Sequence, residues 1–310
     1  MRYLPPTHEQ QLAVVRAVAY ASLFDYPVTA AELCEGLIAV DATEDIVRAW
    51  YASSPFLRAT IAEVDGYYFP RARVELPFIR RRRHAESRRL LSAYAPALRF
   101  VSNLPFVRMV ALSGSLAHLN AARGADVDLF VITAPGRVWS VTLTALVAAR
   151  IFGWRRRLCL NYSVSEKALA VTPADLFTAN QIVHLRPLIG LDVYRQFLAA
   201  NDFVARVYPN FQPRGASPLV PDRGGRAGKP AMEWALDCLF VAPLCEWVCR
   251  VAYGWYLRRQ APRWQSGDQV RIERECLKLH TTSHRAEVMT RFEGEVARML
   301  AVEEREAVQG

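Results

Sequence analysis

Residues 106–133 constrain this chain more than any other stretch. The apolar run Val110-Ala111-Leu112 ends in Ser113-Gly114-Ser115-Leu116-Ala117, and ten residues then separate Ser115 from Asp126-Val127-Asp128-Leu129-Phe130-Val131-Ile132. Both apolar runs read as strands, over Phe106 to Leu112 and Val127 to Thr133. On a strand, residues i and i+2 share a face, so Asp126 and Asp128 project together while Val127 and Leu129 enter a core. Two carboxylates held that close are costly unless a cation neutralises them, and their oxygens suit Mg²⁺ or Mn²⁺. Gly114 lets backbone approach a phosphate, and the Ser115 hydroxyl with neighbouring N–H groups of the Ser113-Gly114-Ser115 turn can hydrogen-bond its oxygens. Together these parts describe a metal–triphosphate site.

The segment resembles the nucleotidyltransferase superfamily related to DNA polymerase β, which includes the minimal and aminoglycoside nucleotidyltransferases. The likeness rests on Gly-Ser at a strand end, the spacer of about ten residues, and Asp-x-Asp inside an apolar strand, and it covers residues 104–212. It implies that Gly114 and Ser115 hold the β and γ phosphates of an NTP and that Asp126 and Asp128 chelate the metal. The family places a third carboxylate on a later strand, where it helps to bind the catalytic metal and to activate the attacking hydroxyl. Here that strand reads Leu158-Cys159-Leu160-Asn161-Tyr162-Ser163-Val164-Ser165-Glu166, with Asn161 in the place of the acid. An amide oxygen can ligate a metal but cannot act as a base, so Glu166 is the candidate substitute. Arg123 in the spacer and Lys167 after the third strand are further candidates for phosphate contact. His118 lies in the same spacer, either near a substrate or simply on a surface loop. Arg186 is expected on a helix, lining the cleft or held in an ion pair.

The resemblance implies transfer of an NMP from an NTP, ATP being the expected nucleotide, to an acceptor hydroxyl, with release of pyrophosphate. The acceptor is a small molecule, a protein or an RNA end. Asn161 keeps open an alternative, a nucleotide-sensing regulator with little or no turnover. Neither a Walker loop nor a nucleophile elbow nor a dinucleotide fingerprint occurs, which leaves kinase, hydrolase and dehydrogenase readings without support.

The expected fold class is α+β: a nucleotidyltransferase-like mixed sheet with helices over 104–212, flanked by a winged-helix-like unit and a C-terminal helical region. In the first unit, 1–70, Thr7 caps one helix, Thr29 opens a second and Asp41 a third, and two apolar runs flank Asp65-Gly66, a strong hairpin signal. The third helix carries Asp41, Glu44 and Asp45 near its start, and these would repel phosphates, so sequence-specific DNA binding is disfavoured. An Arg-rich helix is expected over 71–103. It holds eight arginines between Arg71 and Arg89 against Glu75 and Glu86, reading as a polyanion-binding block or as a solvated helix face. A linker or mobile loop follows at 213–230, and the helical region at 231–310.

At 310 residues with 52% hydrophobic and 22% charged side chains, the chain is long enough to bury a sizeable core, which excludes a disordered or disulfide-stapled class. Its net charge of +9 rests on 36 arginines and three lysines. Six cysteines without a C-x-x-C pair, and a start without the apolar segment of a signal peptide, lead us to expect a cytoplasmic protein. Ala231 to Leu257 is the most apolar stretch, but Glu233, Asp237, Glu246, Arg250 and Pro243 interrupt it. No integral membrane span is expected there; buried helices are the first reading and a helix lying on a membrane surface the second. Cys276, His280 and His284 recur every fourth residue, yet on one helix they span about 12 Å, too far to converge on one metal ion.

Overall fold

The computed structural model describes residues 5–215, 228–264, 270–279 and 285–309. It is a mixed α+β structure with two sheets. The chain runs α1 (His8–Ser22), β1 (Val28–Thr29), α2 (Ala30–Glu35), α3 (Glu44–Ser53), α4 (Pro55–Thr60), β2 (Ile61–Val64), β3 (Tyr67–Pro70) and α5 (Leu76–Asn103). It continues through β4 (Val107–Ser113), α6 (Gly114–Ala117), β5 (Val127–Thr133), α7 (Val138–Ile151), β6 (Leu158–Ser165), α8 (Leu176–Val183), β7 (Arg186–Ile189), α9 (Leu191–Ala199) and α10 (Phe203–Val207). The last elements are α11 (Lys229–Cys238), α12 (Val241–Gln260), β8 (Val270–Ile272), β9 (Cys276–Leu279) and α13 (Arg285–Gln309).

Local chemistry accounts for the first elements. Thr7 and Gln10 form a reciprocal capping box at α1, and Thr29 and Glu32 form another at α2. The third helix starts at Glu44 instead of Asp41, because the Thr43 side chain accepts from Ile46 N and supplies the cap. Asp65 and Gly66 both have positive φ, 55° and 78°, as a two-residue hairpin turn requires. The resulting β2–β3 hairpin, with β1, forms a three-stranded sheet in the order β1-β3-β2.

The larger sheet has six strands in the order β7-β4-β5-β6-β9-β8. β5 and β6 are parallel, while the other neighbouring pairs are antiparallel. Alternation along β5 buries both faces: Val127, Leu129 and Val131 join one core with residues of α5 and α7, whereas Phe130 and Ile132 join another with residues of α8, α9 and α10. Asp128 sits on the second of these faces, at the strand's start.

Two expectations change. The C-terminal region is not wholly helical: β9 pairs with β6, extending the main sheet, and Cys276 lies on that strand, while His280 and His284 lie outside the described residues. Arg186 stands on β7, opposite Leu112 of β4, and not on a helix. The linker expected at 213–230 lies largely outside the described residues. The last helix packs far from its neighbours in sequence, placing Val288, Phe292 and Met299 in the core of the first unit with Tyr20 and Val15.

The Arg-rich segment at and before the start of α5 is clamped to the first unit. Arg80 makes two bonds to Glu32, at 2.7 and 2.8 Å, while stacking on Tyr26 and Tyr67. Arg73 and Arg83 both reach Asp25, at 2.7 and 2.6 Å, and Arg81 reaches Asp65 at 3.0 Å. Half of the eight arginines are therefore neutralised internally. Arg82, Arg88 and Arg89 remain exposed.

Candidate active site

The site begins where β4 turns into α6. Ser113 is extended, Gly114 takes φ 62°, and a Cβ built on Gly114 would lie 2.7 Å from Asp128 Oδ2. Any side chain there would collide with that carboxylate. The register explains the proximity, for Ser113 pairs directly with Asp128 across β4 and β5. Residues separated by the spacer in sequence are thus neighbours in the sheet.

Asp126 is exposed at the rim and Asp128 half-buried beneath it. Burial, and then the charge of Asp126, push the Asp128 carboxyl up to about 6. Cys159 of β6 pairs with Asp128 in the register and donates its thiol to Asp126. Burial and the two carboxylates raise that thiol to about 11, so it remains protonated. This is a charge defect that a divalent cation would relieve, and the hard oxygens of Asp126 and Asp128 fit Mg²⁺ or Mn²⁺. Among the described residues no group of three or more His, Cys, Asp or Glu side chains is placed to hold a metal ion, so the two aspartates would need oxygen donors from a bound substrate or water.

Behind the turn lies a cavity of about 810 Å³ between the first unit, the main sheet and α8. Ser113, Gly114, Ser115 and Asp128 line it together with Arg186, Arg214, His118 and His184. The Arg186 guanidinium has no ion pair or hydrogen bond among the described residues, and its buried Nε has no partner. Burial and then the charge of Arg214 hold Arg186 below its usual range. Arg214 touches Glu35 at 3.3 Å, yet its Nε is buried without a partner too.

The two imidazoles lie edge to face with centroids 4.7 Å apart. His184 Nδ1 donates to Asn180 O at 2.7 Å, which leaves Nε2 as the acceptor, and His118 Nδ1 has no partner. Burial, with His184 beside it, takes the His118 pKa well below the usual range, and burial lowers His184 as well. Both rings are neutral at pH 7. The unsatisfied buried guanidinium N–H groups of Arg186 and Arg214 seek acceptors, which suits an anionic ligand, while a neutral imidazole offers one donor and one acceptor.

The expected site residues do not all meet. Ser113, Gly114, Ser115, Asp126 and Asp128 come together. Glu166 does not: β6 runs parallel to β5, with Cys159 beside Asp128 and Ser165 beside Thr133, so Glu166 emerges at the opposite end of the sheet. There it faces Arg108 at 3.9 Å. Lys167 follows it and is equally remote, and Arg123 is exposed in the spacer, not among the cavity-lining residues. Asn161 sits on β6, where the strand carries one extra residue between the Cys159 and Tyr162 pairings; its side chain lies outside the described residues.

Cys159, His184 and Arg214 were not legible as site residues, because each reaches the site from a different segment and none belongs to a local motif. Arg186 was legible as a possible wall of the cleft, and that is where it stands. No known protein family, curated protein or solved structure matches the chain.

Proposed function

We propose that this protein is a metal-dependent nucleotidyltransferase with a polymerase β-like site, moving an NMP from an NTP to an acceptor hydroxyl and releasing pyrophosphate. The observation that carries the reading is the approach of the Gly114 turn to Asp128, so close that any side chain at 114 would push the carboxylate aside. A glycine turn at a helix start and a carboxylate pair with a charge defect, side by side next to a cavity that Asp128 helps to line, are what a metal-bound triphosphate needs. Residues 5–70, four helices and a three-stranded sheet, serve in this reading as a winged-helix-like unit that walls the cavity instead of reading DNA.

Asp126 and Asp128 would hold Mg²⁺, which supplies compensation for phosphate charge and stabilises the leaving oxygen. The chain's own work is positioning. The Ser113-Gly114-Ser115 turn holds the β and γ phosphates, and the guanidiniums of Arg186 and Arg214, on the β4–β7 side, draw the anionic tail inward. The acceptor oxygen bonds to the α phosphorus as the bond to the pyrophosphate oxygen breaks, and the hydroxyl proton passes to solvent. Phosphoryl-type transfer is dominated by positioning and electrostatics, so replacement of the third acid by Asn161 would lower the rate without removing the reaction.

One observation favours a second reading. Glu166, the candidate replacement for the third acid, lies at the wrong end of the sheet, and this suits a nucleotide sensor with weak turnover. The test uses each α-labelled NTP with Mg²⁺ or Mn²⁺ and a cell extract, comparing native protein with the Asp126→Ala, Asp128→Ala double variant. Label transferred to a protein, RNA or small-molecule fraction by native protein alone supports transfer and names the acceptor class. NTP binding that depends on the two aspartates without any transfer supports the sensor.

A further inference from the structure

Helix α12 is apolar on two opposite stripes, and among the described residues only one of them is covered. The inner stripe, Ala242, Glu246, Cys249, Gly254 and Leu257, is buried. It meets α7, where Trp139 lies 3.5 Å from the position of a Cβ on Gly254 and Glu246 binds Trp139 N and Ser140 N. The outer stripe is Phe240, Leu244, Trp247, Val248, Val251 and Trp255, recurring at helical spacing over about 22 Å. Phe240 at the tip of the α11–α12 turn is 76% exposed, Trp247 and Trp255 are each 56% exposed, and Trp234 on α11 is 71% exposed. A continuous exposed face of this kind marks an interaction site.

The charges say what covers it. The acids of α11 and α12 are Glu233, Asp237 and Glu246, and all three are committed inward, to Arg108, to Arg137 and to the start of α7. Of the cations, Lys229 bonds inward to Val107 O, but those at the end of α12 face solvent: Arg258 and Arg259 are exposed, with Arg259 stacked 4.1 Å over the Trp255 ring, and Arg263 follows. A second copy of the same face would bury these guanidiniums without offering them a free acid from this hairpin. Lipid phosphates would supply the missing anions. Three tryptophans and Tyr256, each with an apolar ring and a polar atom, suit the headgroup boundary. No helix among the described residues is long and apolar enough to cross a membrane, so the face would lie on a bilayer without spanning it.

We propose that the α11–α12 hairpin is a monotopic docking surface for an anionic bilayer, laying its outer stripe along the headgroup–acyl boundary with Arg258, Arg259 and Arg263 against lipid phosphates.

The test is flotation of the full chain with phosphatidylcholine vesicles, with and without phosphatidylglycerol, at low and high salt, beside sedimentation without lipid. The expected result is co-flotation with the anionic vesicles, weakened by salt. Phe240→Ser with Trp247→Ser lowers partitioning about tenfold or more. Arg258→Glu with Arg259→Glu, which leaves the apolar stripe intact, lowers it about tenfold on anionic vesicles and has little effect on neutral ones. Both pairs face solvent, and unchanged melting of each variant shows that the fold is kept. Absence of flotation overturns the proposal. So does a native dimer that the Phe240→Ser, Trp247→Ser variant dissociates with no vesicle binding, which would assign the face to a second copy. Equal binding by native protein and both variants also overturns it.

Discussion

Gly114 and Asp128 stand so close that a Cβ on the first would lie 2.7 Å from an oxygen of the second. With φ 62° at Gly114, an alanine there adds left-handed strain of about 1 kcal/mol to the collision. The side chain that yields is Asp128. Gly114→Ala is therefore expected to cut transfer about a hundredfold, the scale at which an ångström of misplacement acts, while the protein still folds. Steady-state kinetics beside circular dichroism checks this; unchanged turnover would remove the turn from the mechanism.

Asp128 also predicts how metal and stability are linked. Its folded pKa of about 6 lies above the ordinary aspartate value of 3.8, so the folded state binds the proton more tightly than the unfolded one. The resulting penalty grows as pH rises from 3.8 through about 6 and is complete above it. In chelator-treated protein, Asp128→Asn should then be more stable than native at pH 8 and lose that advantage near pH 4. Added Mg²⁺ should raise the native melting temperature and leave the variant's unchanged. Melting curves with and without metal decide it.

The parts of this site that could be read from sequence are those encoded locally. Apolar runs at strand period placed β4 and β5, Thr7 and Thr29 announced their helices, and Asp65-Gly66 its hairpin. What escaped is carried by distant pairings. Asp25 and Glu32 neutralise Arg73, Arg80 and Arg83 from 48 to 58 residues away, so the Arg-rich block looked free. Cys276–Leu279 is too short for its period to separate strand from helix, and only β6 makes it a strand. Glu166 looked like a substitute acid until the parallel pairing of β6 with β5 carried it to the far end. Arg214 sits in a segment whose composition reads as linker.

The Glu32–Arg80 pair gives a second pH prediction. Burial alone would raise the Glu32 pKa, but the hydrogen bonds and charge of Arg80, with the Thr29 N–H and the Tyr26 hydroxyl, take it down to about 2. A depressed acid contributes stability that is present above its unfolded pKa, about 4.5, and is lost as pH falls toward 2. Glu32→Gln should cost about 2 kcal/mol at pH 7, less than a fully buried pair because both partners keep some solvent contact. The difference from native should shrink below pH 4.5. Urea titrations of both proteins across that range test it.

Arg186 and Arg214 predict how the cavity holds its ligand. Arg186 has no acid partner among the described residues and Arg214 has Glu35 at 3.3 Å, and guanidiniums so sparsely paired in a partly closed space attract a polyphosphate more strongly than surface charges do. Arg186→Met keeps the stem and removes the charge, and should weaken NTP binding about tenfold while weakening NMP binding far less, since the missing partner is the anionic tail. Arg123→Met, on the exposed spacer, should do neither. Isothermal titration with both nucleotides distinguishes them; equal losses for NTP and NMP would place Arg186 against the nucleoside instead.

Glu246 offers a test of how α12 is held. The start of α7 has no side-chain cap of its own, and Glu246, 106 residues away, supplies one: its carboxylate accepts from Trp139 N at 3.1 Å, and from Ser140 N and Oγ at 2.7 and 2.6 Å. A carboxylate at a helix N-terminus also meets the positive end of the dipole. Glu246→Ala leaves those donors buried without partners and should cost about 2 kcal/mol, whereas Glu246→Gln, which keeps one acceptor oxygen, should cost about half as much. Because the same contact seats α12 on α7, the alanine variant should also show faster amide exchange along α12 than along α5. Exchange that rises equally in both helices would mean that Glu246 supports the whole fold and does not anchor the hairpin in particular.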